Sequence, residues 1–215
     1  MERGGELDVK QALGEAFRLF DAGELEESES LYRQCLDQAR NKGDEQSALH
    51  GLGFVLAMKG KWSEALACYE ELYSRATQDC NNIDQAIALH QIGMVHRMRG
   101  AYDLATEAFT QELAQRKVKL PEDHVGFSAV AYELGLLALT EKRIQEAFRY
   151  FEESLREGEL AGCGICIGCA HRGLGQTYNE TGELEQSRSH FMRSADAFEK
   201  GGDAPGAAEA RSMAE

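Results

Sequence analysis

Proline, cationic side chains and long apolar runs are all scarce in this chain, and each shortage removes a class of reading. Only Pro121 and Pro205 occur in 215 residues, so a Pro-rich linker is excluded and helices have few breakers. Lys and Arg number 23 against 37 Asp and Glu, a formal charge of -14. Nonspecific nucleic-acid binding and anionic-membrane binding both need dense cations, so neither partner is expected. No apolar stretch approaches the roughly 20 residues that span a bilayer. The opening Met1-Glu2-Arg3-Gly4-Gly5-Glu6 is polar, so no secretory signal is expected there. Gly-rich phosphate loops, a Gly-x-Ser-x-Gly elbow and strand patterning are missing, so the expectation is a noncatalytic protein without a cofactor. Six cysteines in a helix-rich chain of this size do not read as a disulfide framework, and a reducing, cytoplasmic setting is expected.

What the chain does have is a fivefold echo. Glu15-Ala16, Leu52-Gly53, Ile92-Gly93, Leu134-Gly135 and Leu174-Gly175 recur 37, 40, 42 and 40 residues apart. Each is followed at a fixed offset by a turn residue (Gly23, Gly60, Gly100, Lys142, Gly182) and then by a small one (Ser28, Ala65, Ala105, Ala147, Ser187). A period in this range belongs to stacked supersecondary units, each burying its apolar face against its neighbours.

With the Leu-Gly pair numbered 7 and 8, the second copy places Leu49, Leu52, Gly53 and Leu56 at 4, 7, 8 and 11, one face of a helix A. Gly60 at position 15 ends that helix in a conformation that favours glycine. Trp62, Ala65, Tyr69 and Leu72 then form the apolar stripe of a helix B, giving a tight antiparallel pair. Small residues at 8 and 20 allow close approach, and the aromatic at 24 (Tyr32, Tyr69, Phe109, Phe151, Phe191) fills the space between pairs. Lys142 at the fourth turn should cost roughly 1 kcal/mol if left-handed, unless its turn is built differently.

These residues resemble the tetratricopeptide repeat (TPR), in the longer form with about 40 residues per repeat. The resemblance implies an all-α, right-handed α-α superhelical solenoid of five helix-turn-helix units. A short tail at 1–7 would precede repeats at about 8–43, 44–81, 82–123, 124–164 and 165–202. Asp203-Ala204-Pro205-Gly206 reads as a helix start with proline in the first turn, so 203–215 is a capping helix or a truncated sixth repeat.

In such a stack the A helices line a concave side, with positions 2, 5, 9 and 12 facing the groove. That stripe includes Lys10, Phe17, His50, Phe54, His90, Met94, Arg97, Tyr132, Leu136, Arg172, Gln176 and Asn179, and none of its twenty members is Asp or Glu. Better burial of A helices would also exclude carboxylates. Against this stand Lys10, Arg97 and Arg172, long cations that a buried stripe would avoid. The family resemblance implies that the groove holds a peptide or protein segment. Its expected partner carries apolar anchors and some acidic residues, and a homo-oligomer stays open. The alternative is the repeat portion of a bacterial peptide-sensing regulator or phosphatase-type signalling protein.

Cys163, Cys166 and Cys169 form a CxxCxxC run with His171 two residues beyond, a ligand set that suits zinc or an iron-sulfur centre. No fourth cysteine completes it, and His171 aligns with packed positions of other repeats, so no metal is expected. A redox role for Cys163 and Cys166 is the further alternative, because a thiol near a helix N-terminus has a lowered pKa.

Overall fold

The computed structural model describes residues 8–215. Among these lie eleven α-helices and no strand: α1 (Val9–Asp21), α2 (Leu25–Gln38), α3 (Lys42–Met58), α4 (Trp62–Gln78), α5 (Asn82–Met98), α6 (Tyr102–Lys119), α7 (His124–Thr140), α8 (Ile144–Ala161), α9 (Gly164–Thr181), α10 (Leu184–Lys200) and α11 (Ala204–Met213). The described residues divide into two compact units, 8–105 and 106–215. In the first, α1 packs on α2 and α3, α3 on α2 and α4, and α4 on α5. In the second, α7 packs on α8 and α9, α9 on α8 and α10, and α10 on α11.

One turn joins each A helix to its B helix. Gly23, Gly60, Gly100, Lys142 and Gly182 all have positive φ, from 60° to 80°. The next residue then donates its backbone N–H to the carbonyl five residues back, as in Glu24 to Leu19, Lys61 to Leu56 and Arg143 to Ala138, at 2.8, 2.9 and 2.8 Å. This satisfies a carbonyl left over at the end of the A helix. Lys142 adopts the same left-handed turn at φ 60° with the same closing bond. The expectation of a differently built turn is therefore corrected: the closing bond holds the geometry, and the lysine bears the strain.

The odd-numbered helices begin differently. Asp8, Asn41, Asn81, Asp123, Cys163 and Asp203 each accept a backbone N–H of the first turn of α1, α3, α5, α7, α9 and α11. Side-chain caps of this kind contribute about 1 kcal/mol each. By contrast, α2, α4, α8 and α10 start without one, straight out of the tight turn.

The core is built from B-helix aromatics laid on A-helix glycines. A Cβ on Gly53 would come within 2.8 Å of the Tyr69 ring, on Gly135 within 2.6 Å of Phe151, and on Gly175 within 2.7 Å of Phe191. Rings at this position also reach the following A helix: Gly51 lies against Tyr32 and Gly173 against Phe151, again where a side chain would collide. Tyr69, Phe109 and Phe151 are fully buried. The small residue at position 20 completes the pair. Ala65, Ala105 and Ala147 are fully buried there, while Ser28 and Ser187 donate to the carbonyls of Ala16 and Gly175 at 2.8 and 2.9 Å.

Two networks carry charge into these interiors. Glu29 on α2, almost buried, meets Lys59, Lys61 and Arg33 at 2.8, 2.9 and 2.9 Å. Burial would raise its pKa, but the three cations hold it at about 2. In the second unit the buried pair Glu112 and Arg116 is joined by Asp123, the cap of α7. At the C-terminal end α11 begins with Asp203 as cap and Pro205 in its first turn, and Ala207 and Ala210 bury against Phe198.

Tyr69→Ala should lower the unfolding free energy by about 3–5 kcal/mol, as for loss of a buried aromatic, read by urea denaturation. A loss below about 0.5 kcal/mol would refute the aromatic-on-glycine core. The stabilisation from Glu29 is complete above its ordinary value of 4.5 and disappears as pH falls from there toward about 2. Glu29→Gln should thus be less stable than the parent near neutrality, and the two stability curves should converge near pH 2.

Candidate functional site

Within the first unit, the A helices leave an apolar concavity of about 570 Å³. Phe17 and Phe20 come from α1, His50, Gly51 and Phe54 from α3, and Ile87, Ala88 and Gln91 from α5. Tyr32 of α2 and Leu72 of α4 close its floor. Helical spacing explains the set, since residues three and four apart share a face. Phe20 and Phe54 meet edge to face at 5.0 Å, and Phe17 lies 6.5 Å from Phe20 while remaining 60% exposed. Gly51 gives up its side chain to the Tyr32 ring, so the wall is thin where the floor is aromatic.

Polar groups are few at this site. Ser47 is turned onto the Gly43 carbonyl at 2.9 Å, and the Asp84 carboxylate accepts from Asn81 at 2.7 Å. Burial lowers the pKa of His50, which favours a neutral imidazole. Among the described residues no Lys or Arg lines the concavity, and the one formal charge in its lining is Asp84 at the start of α5.

The structure brings Phe17, His50 and Phe54 together and places the other expected groove residues elsewhere. Lys10 lies beside Asp8, Asp37 and Asp44 in a separate polar depression. His90, Met94 and Arg97 are half-buried along α5, outside the lining. In the second unit Tyr132 and Leu136 pack against Ala138, Ala147, Phe151 and Leu174. Arg172 donates to the Tyr132 hydroxyl at 3.2 Å and to Glu209 of α11 at 2.9 Å, with its guanidinium 5.5 Å from the Phe198 ring centre. Gln176 keeps a buried Oε1 without a hydrogen-bond partner among the described residues, and Asn179 is exposed. Of the twenty stripe residues only Ala57 is fully buried. Sequence reasoning missed Tyr32 and Leu72, which belong to the B-helix core pattern, and Asp84, which precedes the stripe.

Among the described residues no three His, Cys, Asp or Glu side chains converge as a metal site. Cys163 caps α9, its sulfur accepting the Cys166 N–H at 3.2 Å. The expected lowering of a thiol pKa fails at Cys166, where burial and then the Cys163 sulfur beside it push the value up to about 12. His171 turns into the helix packing, its Nδ1 3.1 Å from Nδ1 of His190, which stacks on Tyr178.

Two family models, both described as tetratricopeptide repeat, match residues 11–46 and 44–117. Solved structures extend the likeness over nearly the whole chain. The nearly identical TPR-like repeats assigned to a kinesin light chain of Podosopora anserina are 15% identical, over 89% of this chain and 95% of that one, with a TM-score of 0.63. BtubC (BKLC) from P. vanneervenii is 14% identical, over 97% and 90%, with a TM-score of 0.64. This chain is a tetratricopeptide repeat protein. The repeat fold also matches pilF of Pseudomonas aeruginosa at 17% identity, over 94% and 88%, with a TM-score of 0.59. At such identities the likeness is one of fold, and no curated protein sequence matches the chain. Among the described residues no helix is long and apolar enough to cross a membrane.

Burial, then His190 and Arg193, lower the pKa of His171 to about 4. A depressed histidine stabilises the fold fully above its ordinary 6.5 and loses that contribution as pH falls toward 4. The imidazole C–H resonances of His171 should therefore stay in the neutral form through pH 5 in an NMR titration, and a midpoint near 6.5 would contradict the packed pair.

Proposed function

We propose that the chain is a noncatalytic interaction scaffold of the cytoplasm, and that the first-unit concavity receives an apolar-anchored segment of a partner protein. The observation that carries this reading is an aromatic-walled concavity of about 570 Å³ beside a phenylalanine left 60% exposed. Aromatic and aliphatic anchors entering such pockets supply most of the affinity at protein interfaces. Membership of the tetratricopeptide repeat family supports protein binding in general, and the placement of Phe17, His50 and Phe54 supports this location.

Of the two partner features expected from sequence, the apolar anchor is the better supported. Acidic flanks would find no cation in the lining, and Arg172 of the second unit already serves Tyr132 and Glu209. Asp84 at the rim and the chain's formal charge of -14 favour basic flanks instead, chiefly by speeding association.

Labelled peptides with paired Leu or Phe anchors, flanked either by Lys or by Glu, discriminate these readings by fluorescence anisotropy. Lys-flanked peptides should bind more tightly, with the difference shrinking as salt is added. Phe54→Asp combined with Ile87→Asp should weaken their binding at least tenfold while the cooperative melt survives. Unchanged affinity in a folded double variant would remove the concavity as the site.

A further inference from the structure

Cys163 and Cys166 form a constellation that the peptide site does not use, in the other compact unit. Cys163 sits at the N-cap of α9 with extended backbone, φ -91° and ψ 102°, and its sulfur faces the first helical turn. Side chains at the N-cap and three residues on face each other, as in a capping box. Here the Cys163 sulfur accepts the Cys166 N–H at 3.2 Å, and the Cys166 thiol lies beside that sulfur. Residues three apart along a helical turn have Cα atoms about 5 Å apart, within the roughly 4.4–6.8 Å that a disulfide requires. Both thiols are partly exposed. Cys169, one turn further, instead packs on Ala195, Phe198, Ala207 and Ala210.

We propose that Cys163 and Cys166 are a redox-active dithiol that exchanges with small disulfides of the glutathione class and closes into an intramolecular disulfide. The Cys163 thiolate attacks one sulfur of the small disulfide; the S–S bond breaks and one small thiolate leaves. The Cys166 thiol gives up its proton and attacks the Cys163 sulfur of this mixed disulfide, releasing the second small thiolate. The leaving thiolates take up the two protons. The protein dithiol loses two electrons and the small disulfide gains them.

The closed bond would tie the first turn of α9 at a crowded junction. A Cβ on Gly158 of α8 would lie 3.2 Å from Cys166 Cβ, and a Cβ on Gly164 of α9 would lie 2.8 Å from the Gly201 nitrogen at the end of α10. Oxidation is thus felt by three helices of the second unit.

The test uses the full chain incubated with oxidised glutathione, denatured, alkylated and digested with trypsin. Cleavage after Arg156 and Arg172 gives a peptide that holds Cys163, Cys166 and Cys169 and no other cysteine. In the parent protein that peptide should lose the mass of two hydrogens and keep one alkylatable thiol. Cys166→Ser should stop at a glutathionyl adduct on Cys163. Cys163→Ser keeps a capping side chain, so the helix start is preserved, and should form no internal bond. Cys169→Ala should close like the parent. Three thiols still open to alkylation after incubation overturn the proposal, as does an internal disulfide that survives in Cys163→Ser.

Discussion

An aromatic ring resting on bare backbone is the contact from which the rest of this structure follows. Tyr69 on Gly53, Phe151 on Gly135 and Phe191 on Gly175 bring a B helix so close to its A helix that no Cβ fits between them. Because Phe151 also lies against Gly173, and Tyr32 against Gly51, one side chain closes its own pair and seats the next. The repeat period is the distance along the chain between successive uses of that contact. Dispersion over a buried ring is large only when the gap is small, so glycine at the contact matters as much as the ring. Neighbour-only packing of this kind explains why the core is a series of clusters.

The turns are subordinate to that contact. Lys142 accepts the left-handed conformation at a cost of roughly 1 kcal/mol, and its ion pair with Glu180 is exposed and returns little. The closing bond from Arg143 to Ala138 and the buried ring of Phe151 hold the turn in place regardless. Local preference yields here to tertiary packing.

The same distinction separates what was legible in the sequence from what was not. The all-α fold, the turn positions and the recurring small and aromatic positions were readable because each recurs in several copies, and recurrence averages out exceptions such as Lys142; that Tyr69, Phe151 and Phe191 also rest on the glycine of their own pair came only from the structure. The concavity is used once, so no repetition advertises it. Phe17, His50 and Phe54 were found because they lie on the predicted stripe, whereas Tyr32 and Leu72 look like core and contribute their outer edges. The role of Arg172 depends on Glu209, 37 residues away on a short terminal helix. Residue type marked Arg172 as a free cation, while tertiary structure had already engaged it. Burial likewise reversed the expectation for Cys166, because a helix N-terminus lowers a thiol pKa only where the thiolate is also solvated.

The two units spend their polar residues in opposite ways, and this bears on what each can do. Around the first-unit concavity Ser47 and Asp84 are satisfied within the chain, and His50 is biased toward neutrality. An incoming apolar group there displaces water without stranding a charge, which is the condition for burial at about 25 cal/mol per Å² to count toward affinity. In the second unit Arg172, Tyr132 and Glu209 bind one another across the corresponding A-helix face, so a ligand there would first have to break a partly buried ion pair. Glu209 is largely exposed, so its part of the pair is worth little; the group a ligand would have to displace is the Arg172 guanidinium, bonded to Tyr132 and 5.5 Å from the Phe198 ring centre. Among the described residues the first-unit concavity is lined by no cation, whereas the second-unit face holds one already engaged by its own chain.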